Sequence, residues 1–259
     1  MKKITDADIE LDDCNYSIRF LNVSEKTENE QTLIFLHDAL GSIAQWKKFP
    51  EAIVAATKLP AVLIERQGYG NSSSLKKPRT NHYLHHEAWV VLPKLLEKLS
   101  IINPILIGHS DGASIALLYG SKHTTKCIIS IAAHIFVEDI TIKGIKETAL
   151  DSKVIKTKLH KYHGDKGAIL FDEWQKVWLS DSFLNWNIEW ELSNIKCDVL
   201  AIQSKDDNYG TLEQIDGIIN MVQGKTSKLI LDTGGHAPHL NKPEELIKPI
   251  RDFIINQNI

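Results

Sequence analysis

Short runs rich in Val, Ile and Leu recur along the chain at 33–36, 61–64, 105–107, 127–132, 199–202 and 228–231, and longer amphipathic stretches separate most of them. Continuous apolar runs of this length suit parallel strands buried on both faces, so the alternation predicts an α/β protein with a mostly parallel central sheet flanked by helices. The helical patterns fall at 44–57, 86–99, 113–121, 212–222 and 243–255, the last opened by Pro243 with Glu244 and Glu245 in its first turn. Tyr16, Ile18 and Phe20 alternate with Ser17 and Arg19, a pattern expected of a half-exposed antiparallel strand at the sheet edge.

One interval breaks this rhythm. From His134 to about Glu191 no buried-strand run occurs, while 142–159 and 171–179 carry helical patterns and Gly164, Asp165 and Gly167 punctuate them. The interval reads as a helical insertion at 135–191, late in the chain, between core segments 1–134 and 192–259. It also accounts for a length of 259 residues, which falls between one and two domains of ~150 residues each.

Composition narrows the function classes. With 43% hydrophobic and 24% charged residues the chain has the balance of a globular protein with a substantial core. A formal net charge of −3 supplies no basic footprint, so nucleic acid and anionic membranes are not expected partners. No stretch approaches the ~18 apolar residues of a membrane helix, and the start, MKKITDADIELDD, lacks the apolar centre of a secretory leader. Cys14, Cys127 and Cys197 are an odd, scattered set without metal or redox spacing, as expected of buried free thiols in a cytoplasmic protein.

The chemistry concentrates at Gly108-His109-Ser110-Asp111-Gly112, directly after the run 105–107 and directly before a helical pattern. Gly-x-Ser-x-Gly between strand and helix places a serine on a tight, strained turn where side chains two residues away would collide with backbone. A serine hydroxyl needs a base in reach, itself oriented by a third group. Asp206 and Asp207 follow the run 199–202, and His236 follows the run 228–231, giving the order Ser, Asp, His. Alone, Asp207 reads equally well as a helix cap, and His236 as one of 11 histidines.

On these residues the chain resembles the α/β-hydrolase superfamily over nearly its whole length. The resemblance implies a Ser110–His236–Asp207 triad, with Asp207 preferred to Asp206, and Glu138 or Asp139 as the acid if it sits one strand earlier. Leu36-His37-Asp38-Ala39-Leu40-Gly41-Ser42 matches the family's first loop, with Asp38 in place of the usual glycine. The backbone N–H groups of Ala39 and Asp111 would then form an oxyanion hole. Arg66-Gln67-Gly68-Tyr69-Gly70-Asn71-Ser72 is similar to the family's turn after the next strand and reads as structural.

The same resemblance makes the insertion a helical cap, with His134, Trp174, Trp178 and Trp186 as candidate substrate contacts. The tryptophans also read as anchors of the cap on the core. Trp174 with Trp178, and Trp186 with Trp190, have the spacing of four that shares a helix face. His82, His85 and His86, and His160 with His163, lack ligand spacing, so no metal is expected. His109 and His239 read as packing groups around the site. The implied activity is cofactor-free hydrolysis of a small ester, thioester or lactone. C–C bond hydrolysis, N-terminal aminopeptidase action and non-catalytic small-molecule binding remain alternatives, and a homodimer is left open.

Overall fold

The computed structural model describes residues 3–22 and 31–257; of the stretch read as lacking a leader, Met1 and Lys2 lie outside them. Each buried run forms a strand: β3 (Leu33–Leu36), β4 (Ala61–Ile64), β5 (Ile105–His109), β6 (Cys127–Ile131), β7 (Asp198–Ser204) and β8 (Thr226–Leu231), preceded by β1 (Ile4–Leu11) and β2 (Cys14–Leu21). Among the described residues they make one 8-stranded sheet in the order β1-β2-β4-β3-β5-β6-β7-β8. Strands β3 to β8 pair in parallel, and β2 pairs antiparallel with both β1 and β4.

The edge strand is β1 rather than β2, correcting the expectation for 16–20. The carboxylates of β1, Asp6, Asp8 and Glu10, suit an edge, where charge discourages pairing with another chain. Asp6 meets the guanidinium of Arg19 on β2 at 2.7 Å.

Side chains alternate across the sheet and feed two apolar layers. Leu33 and Phe35, Ile105 and Ile107, and Cys127 and Ile129 face α1 (Phe49–Thr57) and α11 (Pro243–Asn256). Ile34, Leu106 and Ile128 face the other layer, with α4 (Asp111–Gly120) at its centre. That layer also holds α2 (Tyr83–His86), α3 (Leu92–Lys98) and α9 (Glu213–Met221).

Prolines cut two of the expected helices. The pattern at 44–57 divides into a 3₁₀ turn at Ile43–Trp46 and α1, whose second residue is Pro50. Within 86–99, Pro93 lacks the N–H that an uninterrupted helix requires, and a π turn at Glu87–Val91 separates α2 from α3.

Between β6 and β7 lie α5 (Asp139–Leu150), α6 (Ser152–His163), α7 (Lys166–Trp178) and α8 (Glu189–Leu192). The single helical pattern expected at 142–159 is two helices, because Asp151 leaves helical geometry at ψ 19° and turns α6 back along α7. The two ends of this segment run side by side: Phe136 bridges Asn187, and Ile188 N–H donates to Ile135 O at 2.7 Å. Phe171, Trp174, Trp178 and Phe183 pack into the α4 layer, so the segment shares a core with one face of the sheet.

Candidate active site

Ser110 connects β5 to α4 with φ 53° and ψ −120°, a conformation that non-glycine residues adopt only when the surroundings enforce it. The enforcement is visible on both sides. A Cβ on Gly108 would lie 2.2 Å from Gly112 O, and one on Gly112 would lie 1.9 Å from Leu36 O. The turn is held from below by Ser110 N–H donating to Ile131 O at 2.9 Å.

Three strand ends bring the predicted residues together. His236, in the loop after β8, places Nε2 2.9 Å from Ser110 Oγ. Its Nδ1 lies 2.9 and 3.0 Å from the two carboxylate oxygens of Asp207, after β7. Ionised Asp207 can only accept, so Nδ1 carries the proton and the Nε2 lone pair faces the serine hydroxyl. Burial pushes the Asp207 carboxyl up, but the charge and hydrogen bond of His236 and the N–H of Tyr209 at 2.8 Å outweigh it and hold the group below its ordinary value.

The other acids are engaged elsewhere. Asp206 accepts the Gly235 N–H at 2.8 Å on the surface of the same loop. Glu138 caps α5 and binds Thr211 and Gln214, and Asp139 is the first residue of α5.

Ala39 and Asp111 both line the cavity beside Ser110. As the first residue of α4, Asp111 has an N–H with no carbonyl one helical turn back. Their side-chain and loop supports were not evident in the sequence. The Arg66 guanidinium, after β4, is buried; it donates to Asp38 O at 2.7 Å and lies 3.4 Å from Asp111 Oδ2. Tyr69 donates its hydroxyl to Ala39 O at 2.7 Å, and Arg79 in turn donates to that hydroxyl. Tyr83 donates to Asp111 Oδ2 at 2.8 Å while accepting Trp178 Nε1–H at 2.9 Å. The loop 66–72, read as structural, therefore clamps the chain around Ala39. Its legible signal was the run Arg66 to Ser72, opening two residues after a buried strand.

The cavity measures ≈ 100 Å³ and is walled by Trp174, Trp178, Ile145, His134 and Tyr209. Trp174 and Trp178 share a face of α7, whereas Trp186 and Trp190 do not share a helix face. Trp186 is stacked on Phe183, is absent from the cavity wall, and stands one layer behind Trp178; Trp190 is exposed. His134 is buried with its Nδ1 unpartnered, and burial first, then His236, pushes it down to about 3, so the ring is neutral.

His109 donates Nε2–H to His236 O at 2.8 Å, and His239 packs between His109 and Trp46. Among the described residues no three His, Cys, Asp or Glu side chains converge as a metal site would require. His163 is committed to the Gly70 N–H and Leu40 O, and His85 to Glu191. Cys14 and Cys127 are buried free thiols, whereas Cys197 is half-buried.

Comparison with known proteins fits this architecture. Residues 31–157 match the alpha/beta hydrolase fold family. The structure is similar to that of a membrane phospholipase A, a bacterial virulence factor (TM-score 0.80, 15% identity, covering 98% of this chain and 87% of that one). It is also similar to an enol-lactonase from Burkholderia xenovorans LB400 (TM-score 0.75, 14% identity, 96% and 100% covered). A proline iminopeptidase from Mycobacterium smegmatis gives a TM-score of 0.67 at 14% identity, with 98% of each chain covered. At these identities the likeness shows the fold alone. No curated protein matches the sequence. The sheet order and the matched segment give the chain the α/β-hydrolase fold.

Proposed function

We propose that the protein is a serine hydrolase that cleaves small carboxylic esters, thioesters or lactones through an acyl-enzyme. The observation that carries this reading is His236, bonded to Ser110 Oγ on one nitrogen and to Asp207 on the other. In the first step Ser110 Oγ attacks the carbonyl carbon, and its proton passes to His236 Nε2. The carbonyl oxygen becomes an oxyanion, received by the N–H groups of Ala39 and Asp111. The tetrahedral intermediate collapses, and the leaving group departs with the proton from His236. Water then loses a proton to His236 and attacks the acyl carbon, releasing the acid and restoring Ser110. Asp207 fixes the imidazole tautomer throughout and stabilises the imidazolium.

The helices between β6 and β7 act as a cap in this scheme, with Trp174 and Trp178 lining the acyl pocket and His134 beside it. Trp186 contributes by backing Trp178. A cavity of ≈ 100 Å³ favours short acyl groups. The test is labelling by a fluorophosphonate beside a series of p-nitrophenyl esters of increasing acyl length. Labelling that is lost in Ser110→Ala, with fastest turnover of short chains, is expected. A folded protein that neither labels nor hydrolyses any ester overturns the reading.

A further inference from the structure

Asp38 stands where the family's loop usually has glycine, and its position gives that departure a use. Its main-chain carbonyl is fixed by Arg66 at 2.7 Å and by His37 Nδ1–H at 2.8 Å. Its carboxylate packs over Gly41, where an added Cβ would lie 1.9 Å from Oδ1, and the residue lines the cavity with Ser110. About a third of the side chain remains accessible.

The charge balance of the cavity is uneven. Asp38 and Asp111 line it, and no lysine or arginine among the described residues does. Asp111 is matched from behind by Arg66 at 3.4 Å. The Asp38 carboxylate lies 3.8 Å from His109 Nδ1, while Arg66 and His37 are taken up by its main-chain carbonyl. Desolvation raises the Asp38 carboxyl, but the imidazoles of His109, His37 and His239 outweigh it and hold the group below the usual carboxylate range. The group is ionised at neutral pH.

A carboxylate beside an incipient oxyanion opposes the transition state of a neutral substrate, because like charges repel across a poorly solvated site. A substrate bearing its own cation turns that cost into attraction. The aromatic part of the lining suits a cation as well. Trp174, Trp178 and Tyr209 present aromatic rings, and π faces attract ammonium groups.

We propose that the pocket selects short acyl substrates carrying an ammonium group, with Asp38 as the counter-charge and the aromatic wall as its cradle. This rests on the reading of Ser110 as the nucleophile, and the experiment separates the two. Calorimetry with n-butylammonium and 1-butanol measures cation binding without any turnover. Hydrolysis of the isosteric β-alanyl and butyryl p-nitrophenyl esters measures cation selection during it. In the native protein the ammonium probe binds, and the β-alanyl ester is preferred, by about 10-fold, the scale of one partly desolvated charge pair.

Asp38→Asn erases both preferences, Asp38→Glu retains them in part, and rising ionic strength lowers the β-alanyl rate more than the butyryl rate in the native protein. Equal affinity for both probes with equal hydrolysis of both esters overturns the inference and leaves the hydrolase reading intact. Ammonium binding that depends on Asp38 without turnover of either ester supports the inference on the ligand and overturns the hydrolase reading. A cation preference unchanged in Asp38→Asn overturns the assignment to Asp38.

Discussion

The turn at Ser110 and the helical segment between β6 and β7 border the same cavity but are specified in different ways. At the turn, backbone meets backbone: Gly108 and Gly112 have no room for a single added carbon, and Ser110 is held at positive φ by the strands beneath it. In the helical segment, side chain meets side chain. Trp178 contacts Phe183, Trp186 and His134, with ring centroids 4.9, 6.0 and 5.1 Å away. The first kind of order tolerates no substitution; the second is shared among rings that can partly replace one another.

The largest expected effects lie at the turn. Gly112→Ala drives a Cβ to 1.9 Å from Leu36 O and 2.7 Å from His37 O, both main-chain atoms that cannot step aside. A loss beyond about 4 kcal/mol is expected, read as failure to recover folded protein by circular dichroism. A variant that melts near the native temperature would show that the turn can widen and that the contrast with the helical segment is false. Ser110→Ala leaves the main chain in place, so its melting temperature should stay close to native while kcat/KM for the best ester falls by about 10⁴-fold or more. Retention of even a few per cent of activity contradicts the nucleophile assignment.

In the helical segment the expected effect is intermediate. Trp178→Ala removes a fully buried ring and the Nε1–H donor to Tyr83, for a cost of about 3–5 kcal/mol in urea unfolding. Trp190, 80% exposed, gives the internal control: Trp190→Ala should change stability by less than about 0.5 kcal/mol. If the two cost the same, the ring cluster is not what holds the segment to the sheet.

The same contrast explains what could be read in advance. Strands β3 to β8 were legible because burial on both faces leaves an unbroken apolar run, and the turn was legible because its glycines are compulsory. That Ser110, His236 and an acid would meet was legible because each follows a strand, while the choice of Asp207 over Asp206 rested on the family resemblance. The helical segment was legible only as an absence of strands. Its break at Asp151 depends on how α6 packs along α7, which no local pattern encodes. Trp186 had the same spacing to Trp190 as Trp174 to Trp178, yet it lies before α8 begins. The supports at Arg66 and Tyr69, in one loop, and at Tyr83, the first residue of α2, are distant in the chain from Ala39 and Asp111, so only the folded geometry joins them. β1 was missed because its carboxylates obscure an alternation that an edge strand permits.

Acid should probe the boundary between the two regions, where His134 lies. Its ring is pushed down to about 3 in the folded protein, against 6.5 for the free side chain, so the unfolded chain binds the proton more readily in that interval. Stability from this group is complete above pH 6.5 and falls as pH drops toward 3, by about 1.4 kcal/mol per unit. Between pH 7 and pH 5 this amounts to about 2 kcal/mol by the same relation. His134→Phe should show a shallower loss over that range in urea titrations at each pH. Asp207 adds a loss of the same sign at lower pH, since its folded carboxyl is held below its ordinary value. Equal slopes for the native protein and His134→Phe would mean that the ring takes up its proton without opening the structure.

A smaller effect bears most directly on how far the two regions are separate. Tyr83 joins them: its hydroxyl donates to Asp111 Oδ2 beside the turn and accepts the Nε1–H of Trp178 on α7. Tyr83→Phe keeps the ring but leaves a buried carboxylate oxygen with only Arg66 at 3.4 Å and a buried indole N–H with no acceptor. A net cost of about 1–2 kcal/mol follows from stranding buried polar groups. Replacing Trp178 by Phe removes the donor from the other end, so the two changes made together strand fewer groups than their sum implies. A double-mutant cycle should return a coupling of about 0.5–1 kcal/mol between Tyr83→Phe and Trp178→Phe. Strict additivity would make the hydrogen-bond chain energetically silent, leaving the turn and the helical segment as independently stabilised walls of one cavity.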